Sequence, residues 1–114
     1  MTSPALLRIH IGEADRCEHQ PLYEALVLKA REKKLAGATV LRSPLGFGAS
    51  SHVHSAKILQ LSTDLPVIVE IVDDEEKLRA FWTEIAPLID GGLATLQRLE
   101  VLSYGPKSAA TTQP

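Results

Sequence analysis

The chain of 114 residues has one cysteine, no long apolar run and no excess of basic residues. Cys17 alone cannot form an internal disulfide, which fits a reducing cytosol. No apolar run approaches the ~18 residues of a membrane-spanning helix, so we do not expect a membrane protein. The first residues lack a basic region followed by an apolar core, and a cytoplasmic location is therefore expected.

Charge and reactive side chains exclude further classes of function. The net charge is −2, and the basic cluster at residues 29–34 has helical spacing, so nucleic acid is not an expected partner. Cys17 has no evident base partner, and no serine stands in a nucleophile-elbow context. We therefore expect no catalytic residues, no enzyme activity and no required cofactor.

Apolar periodicity predicts four strands and two helices. Strands are expected over residues 6–12, 38–42, 65–72 and 93–102, and helices over 21–35 and 73–90. The first strand alternates Leu7, Ile9 and Ile11 with polar residues, which is typical of one buried face. The second helix has an apolar stripe that includes Leu78, Phe81, Trp82 and Ile85.

The ends of the helices have local signals of their own. Pro21 suits the first position of the first helix, and Gly37 is available for a left-handed residue after it. Asp73 with Glu76 predicts a capping box at the second helix. Pro87 should loosen the last turn of that helix, because proline removes one backbone donor.

The order β-α-β-loop-β-α-β predicts an α+β fold, the ferredoxin-like βαββαβ sandwich with a long loop between strands 2 and 3. We expect one domain over residues 5–103 and a disordered tail over 104–114. The strand over 65–72 is apolar on both faces except at Glu70. A second copy of the chain is the economical cover for the face that the helices leave open.

Two acidic groups have competing interpretations. Glu70 needs a partner if it is buried, and Arg8, Arg42 and Arg98 lie on other predicted strands. Structural pairing of Glu70 is favoured over a catalytic role. The alternation of Glu13, Asp15, Cys17 and His19 is compatible with a metal site, but a polar loop is the simpler interpretation.

The segment over residues 42–57, RSPLGFGASSHVHSAK, is the most informative part of the chain. A connection this long inside a compact domain is usually functional or disordered. Gly46 and Gly48 suit either turns with positive φ or close approach of a ligand. His52 and His54 share one face if they are extended, so they are either metal ligands or solvent-facing loop residues.

Three motifs resemble the PII signal-transduction family: GATV at 37–40, GFG at 46–48 and LPVIVEIV at 65–72. In that family the GFG lies at the base of the so-called T-loop. The stretch RIHIGEADR at 8–16, with PLYEA at 21–25, is similar to the PII-like family of unknown function called DUF190. The resemblance covers residues 6–102.

This resemblance implies a homotrimer with small-ligand sites in the clefts between subunits. In PII proteins an adenine nucleotide binds there and reorders the T-loop, which docks on a target protein; a transporter or channel is the expected partner here. The resemblance places Thr39 beside the adenine and the GFG beside the nucleotide. The candidate ligand-binding residues are Thr39, Arg42, Gly46, Phe47, Gly48, Ser50, Ser51, Lys57, Gly91, Gly92 and Arg98.

The chain departs from the PII pattern where phosphates are held. Ala49-Ser50-Ser51 follows the GFG in place of a basic and polar group, and only Gly91-Gly92 remains of a glycine-rich, lysine-bearing loop. Backbone N–H groups at 48–51 are a possible anion-binding nest, with Lys57 as a further donor. A less charged ligand than ATP is therefore favoured: AMP, ADP or a cyclic nucleotide. The modified tyrosine of some PII proteins has no counterpart between Ser43 and Ser62.

Two other classes of function stay open at this point. One is a metal-binding trimer resembling the copper-tolerance (CutA-like) proteins, which share this fold and would use His52 and His54. The other is an enzyme that performs phosphate or carboxylate chemistry in the cleft, with Arg42 or Lys57. Fold alone does not decide among them.

Overall fold

The computed structural model describes residues 1–48, 53–55 and 64–108. In chain order the elements are β1 (Pro4–Gly12), β2 (Arg16–Cys17), β3 (Gln20–Pro21), α1 (Leu22–Glu32), β4 (Gly37–Arg42), β5 (Leu45–Gly46), β6 (His54–Ser55), β7 (Pro66–Asp74), α2 (Glu75–Ile85), a 3₁₀ turn (Ala86–Leu88) and β8 (Leu93–Arg98).

The main sheet has the strand order β4-β7-β1-β8, and all three neighbouring pairs are antiparallel. Both helices contribute side chains to one core against the same face of this sheet. The α+β ferredoxin-like prediction is therefore confirmed. Two short ladders, β2–β3 and β5–β6, are additions that periodicity did not predict.

Alternation along the two central strands builds the core. Every second residue of β1 and β7 faces the helices, and these side chains are at most 6% exposed. Burying each valine, leucine or isoleucine contributes roughly 1.5–3 kcal/mol, so this face provides most of the stabilisation. The strand members are Leu7, Ile9, Ile11, Val67, Val69 and Ile71, and the helix members are Leu22, Leu26, Ala30, Leu78, Phe81 and Ile85.

The start of α2 differs from the predicted capping box. Strand β7 continues to Asp74, which is the N-cap residue but makes no side-chain cap hydrogen bond. Asp73, only 4% exposed, accepts hydrogen bonds from the backbone N–H groups of Ala36 at 2.9 Å and Asp74 at 2.6 Å. The capping-box prediction is wrong because the Asp73 carboxylate ties the end of β7 to the residue before β4.

The other helix ends also differ in detail. Helix α1 begins one residue later than predicted, with Pro21 at the N-cap, and ends at Glu32. Lys34, with φ 60°, takes the left-handed conformation that we assigned to Gly37, and Gly37 starts β4. The effect of Pro87 is confirmed, since α2 gives way to the 3₁₀ turn that contains it.

Beyond β8 the chain crosses the end of the sheet. The N–H of Leu99 donates to the Pro4 carbonyl at 3.1 Å, and the Tyr104 hydroxyl donates to the Ala36 carbonyl at 3.0 Å. Because Ala36 precedes β4 at the opposite edge, residues 99–104 span the sheet width. The domain limits 5–103 and the disordered tail over 104–114 stay predictions, and residues 109–114 lie outside the described part.

Alanine substitutions at Gly91 and Gly92 separate two effects: backbone strain from positive φ, and a collision of the added Cβ with a neighbouring atom. Both have positive φ, 82° and 84°, but a Cβ at Gly91 meets open space whereas one at Gly92 collides with the His10 carbonyl oxygen. We expect Gly91→Ala to cost about 1–2 kcal/mol of unfolding free energy and Gly92→Ala about 2–4 kcal/mol. Urea denaturation of both variants measures the difference, and equal losses would contradict the close approach.

Candidate functional site

The base of the long 43–62 segment is a short β-ladder. Leu45 pairs with Ser55, and Gly46 pairs with His54, in antiparallel register. The chain therefore pairs with itself at the end of residues 42–46, which we call the first stem of the loop. Residues 64–66, the second stem, lead into β7. Residues 49–52 and 56–63 lie outside the described structure, and with them Ser50, Ser51, His52 and Lys57.

Gly46 lies close to the start of β7. Among the glycines that the structure describes, positive φ occurs at Gly91, Gly92 and Gly105, so the positive-φ interpretation of Gly46 and Gly48 is wrong. A Cβ at Gly46 would lie 3.1 Å from Cγ of Pro66, tighter than an ordinary contact. Gly46 therefore allows the first stem of the loop to pack on the start of β7.

The two stems of the loop are bonded to each other. The N–H of Ser43 donates to the Pro66 carbonyl at 2.9 Å, which extends the β4–β7 pairing by one bond. The Ser43 hydroxyl donates to the Leu45 carbonyl at 2.7 Å. Beyond this point Leu45 and Phe47 are 62% and 66% exposed. The loop therefore leaves the sheet from a fixed point and presents apolar side chains to solvent.

Residues 12–15, which we call the connector, join β1 to the β2–β3 ladder and bind both stems. Glu13 donates its backbone N–H to the Leu65 carbonyl at 2.8 Å, and its carboxylate forms an ion pair with Arg42. The N–H of Ala14 donates to Asp64 Oδ1 at 2.8 Å. Glu13 thus contacts the first stem through its side chain and the second stem through its backbone.

The Asp64 carboxylate also packs closely against Gly12, at the start of the connector. A Cβ at Gly12 would lie 2.5 Å from Asp64 Oδ1, so a side chain at position 12 would force this carboxylate to move. Asp15 closes the connector by accepting the Gly12 N–H at 3.0 Å. Our sequence reasoning did not single out Asp64. In the sequence, Asp64 is only a carboxylate just before a buried strand, and nothing nearby indicates that it binds Ala14, 50 residues away.

Thr39 lies in a polar row that crosses the sheet on the face without helices. The pairings place Thr39, Glu70, Arg8 and Thr95 side by side on β4, β7, β1 and β8. Arg8 Nη2 lies 2.9 Å from Glu70 Oε2, with side chains 37% and 25% exposed. The prediction that Glu70 pairs with an arginine of another strand is confirmed, and Arg8 is the partner among the three candidates.

The other candidate residues do not meet in one chain. Arg42 is level with Val67 and Ile11, whereas Arg98 is level with Ala5, six residues away along β1 and roughly 20 Å distant. Gly92 lies at the same end of the sheet as Arg42 but precedes β8 at the opposite edge. Arg42, Gly46, Phe47 and Gly48 therefore form the loop base, and Gly91, Gly92 and Arg98 lie elsewhere.

Arg98, at the end of β8, forms an ion-pair cluster with Glu75 and Arg79 of α2. Its Nε donates to Glu75 Oε1 at 2.8 Å, and Arg79 Nε donates to Glu75 Oε2 at 2.9 Å. These hydrogen bonds, first from Arg98 and then from Arg79, lower the pKa of Glu75 to about 2. Within one chain, Arg98 is therefore a structural partner of Glu75.

The acidic connector has no geometry for a metal ion. Across the ranges 1–48, 53–55 and 64–108, no group of three or more His, Cys, Asp or Glu side chains is arranged to hold one. Glu13 is engaged by Arg42, and Asp15 by the backbone of Gly12. These contacts favour the polar-loop interpretation of Glu13, Asp15, Cys17 and His19. In the same ranges, no helix is long and apolar enough to cross a membrane.

The ion pairs of Glu75 should make the unfolding free energy of the protein depend on pH in the acid range. The folded-state pKa of about 2 lies below the ordinary value of 4.5, so the stabilisation is complete above about pH 4.5 and is lost as pH falls toward 2. We expect wild type to exceed Glu75→Gln in unfolding free energy at about pH 6, and this difference to shrink at about pH 2.5. Urea denaturation at both values measures it; a pH-independent difference would contradict the assignment.

Comparisons with known proteins place the chain in a family. The DUF190 family model, described as Uncharacterized ACR, matches residues 4–101. A UPF0166 protein of Aquifex aeolicus (strain VF5) is 42% identical over 97 residues, which cover 85% of this chain and 91% of the relative. A UPF0166 protein of Methanocaldococcus jannaschii is 33% identical over 78 residues, covering 68% and 71%.

A solved structure shares the fold at low identity. It is CPII, a nitrogen regulatory PII-like protein from Thiomonas intermedia K12, bound to ADP, AMP and bicarbonate. The TM-score is 0.65 at 14% sequence identity, over 87% of this chain and 88% of CPII. Together with the match over residues 4–101, this shows that the chain belongs to the DUF190 family and has a PII-like fold.

Proposed function

We propose that this chain is a non-enzymatic, cytoplasmic regulator of the PII-like type. It assembles as a homotrimer and binds a small ligand, an adenine nucleotide such as AMP, ADP or a cyclic nucleotide, in the clefts between subunits. The 43–62 segment then signals to a protein partner, a transporter or channel. The observation that most supports this function is the loop base, where one connector holds both stems beside the exposed guanidinium of Arg42.

The chemistry of the loop base supports an anionic ligand. Arg42 is 62% exposed, and a guanidinium has five donors that suit the paired oxygens of phosphate or carboxylate. The ADP and AMP bound to CPII, which shares the fold, support an adenine nucleotide as this ligand.

The distribution of the candidate residues supports a site between subunits. The loop base lies at the β4 edge, whereas Gly91 and Gly92 precede β8 at the opposite edge. One chain cannot bring these two edges together without breaking the sheet. A neighbouring copy brings its β8 edge against the β4 edge, and the complete site then belongs to two subunits.

The open face of the sheet supports the oligomer. Leu41, Ile68, His10 and Leu93 form a row across all four strands, and Leu41 and Leu93 are 45% and 57% exposed. Three of these four side chains are apolar, and such a row on one face of the sheet favours contact with another protein surface. The adjacent Arg8–Glu70 pair is satisfied within the chain, so an assembly covers it without leaving an unpaired charge.

The loop presents a surface suited to a protein partner. Leu45, Phe47 and Val53 are 62%, 66% and 54% exposed, although they lie close to the β5–β6 ladder. Aromatic and aliphatic side chains of this kind are typical anchors at protein interfaces. For ligand binding to change the affinity of the loop for its partner, a coupling free energy of ~1–3 kcal/mol between the two binding events is enough.

Nucleotide binding is tested by calorimetry on the assembled protein. We expect saturable binding of ADP or AMP and a loss of about 10- to 100-fold in affinity for Arg42→Gln, because a hydrogen bond to a charged group contributes ~1.5–3 kcal/mol. Glu84→Gln, which removes a charge from the exposed Lys33–Glu84 pair at 3.0 Å, serves as control and should bind like wild type. Failure of every nucleotide, together with tight Cu(II) or Zn(II) binding, would favour the metal-binding alternative.

The oligomer is tested on side chains that are exposed in the single chain. Leu41→Glu combined with Leu93→Glu should dissociate the trimer, because the interface would then have to bury two unpaired carboxylates. The folded chain should tolerate both changes, since neither side chain belongs to the core. Light scattering measures the mass. Leu102→Glu, at a side chain 89% exposed outside the sheet, is the control and should leave the mass unchanged.

A further inference from the structure

The cation at the loop base already has a counter-ion within the chain. Over residues 12–15, 42–48, 53–55 and 64–66, Arg42 is the only arginine or lysine. Its Nη2 contacts Glu13 Oε2 while the arginine side chain remains 62% exposed and the glutamate only 22%. The glutamate is thus held against the protein, whereas most of the arginine side chain faces solvent.

We propose that Glu13 is a competitor built into the site: its carboxylate occupies Arg42 in the ligand-free chain and is displaced by the anionic group of the ligand. This inference deepens the proposed function and rests on it, because Arg42 is taken as the receptor of the ligand's phosphate. The chemical class follows from the guanidinium, which binds the paired oxygens of carboxylate and phosphate in the same way.

Exchange at Arg42 is energetically accessible. The Arg42–Glu13 pair is exposed on its arginine side, and exposed ion pairs are weak enough for a second anion to compete. A phosphate with up to two charges then replaces a carboxylate with one. A neutral ligand has no means to displace Glu13, so this residue also discriminates nucleotides from nucleosides.

Displacement has a structural consequence because Glu13 contacts both stems. In the free chain the second stem is bonded to the Glu13 backbone and the first to its carboxylate. Transfer of Arg42 to the ligand removes the contact of Glu13 with the first stem and keeps its backbone bond to Leu65. Glu13 then no longer links the two stems, which stay joined by the Ser43–Pro66 bond. The connector continues to α1 through the Asp15 carbonyl, which accepts the Leu22 N–H at 2.7 Å, so the connector is also bonded to the start of a core helix.

The test compares Glu13→Gln with wild type in the assembled protein. Calorimetric titration with ADP and AMP should show about 3- to 10-fold tighter binding to Glu13→Gln, because the competing charge is gone while the side-chain shape is kept. Glu13→Asp keeps the charge and shortens its reach, so an intermediate affinity is expected. Glu84→Gln, with the same change of net charge on α2, should leave the affinity unchanged.

A second probe separates this inference from the proposed function. Inorganic phosphate is titrated while NMR follows the Arg42 Nε–H and the amides of Glu13 and Ala14. We expect these signals to shift at lower phosphate concentration in Glu13→Gln than in wild type. If no nucleotide binds but phosphate still competes with Glu13, the nucleotide function is wrong and the exchange stands. Equal or weaker binding of phosphate by Glu13→Gln, or of a nucleotide that binds the wild type, would overturn the exchange.

Discussion

The antiparallel register between β1 and β7 determines the placement of almost every other group. Pairing Leu7 with Ile71 and Ile9 with Val69 directs one set of apolar side chains toward the helices. The same register sets Arg8 opposite Glu70 on the other face. A slip of one residue would exchange the two faces, burying the charged pair and exposing the core. The ends of these strands also bring the connector beside the second stem of the loop.

Much of the fold could be predicted from the sequence because its signals are local and repeated. Alternation located β1, a run that is apolar on both faces located β7, and the stripe of Leu78, Phe81 and Ile85 located α2. The short β5–β6 ladder could not be predicted, since two residues per strand contain no periodicity. The role of Asp73 was also hidden, because its partner Ala36 is 37 residues away in the chain.

The site was predictable to a smaller degree than the fold. The resemblance directed attention to the loop and its glycines, and the reasoning about Glu70 reduced its partner to three arginines, of which Arg8 is correct. Sequence could not show that Glu13 binds Arg42 or that Asp64 lies against Gly12, since both contacts depend on strand register and on side-chain rotamers. Such long-range contacts distinguish members of one fold, which by itself does not determine function.

Strand β4 lies at an edge of the sheet, where strands usually open most easily. Here it is fixed at both ends. The Asp73 carboxylate holds Ala36 just before the strand, and the Pro66 carbonyl holds Ser43 just after it. An edge strand restrained in this way cannot transmit a change by sliding along its neighbour. The pivot for any rearrangement of the loop therefore lies beyond Ser43, and β4 is the fixed part of the sheet from which the loop extends.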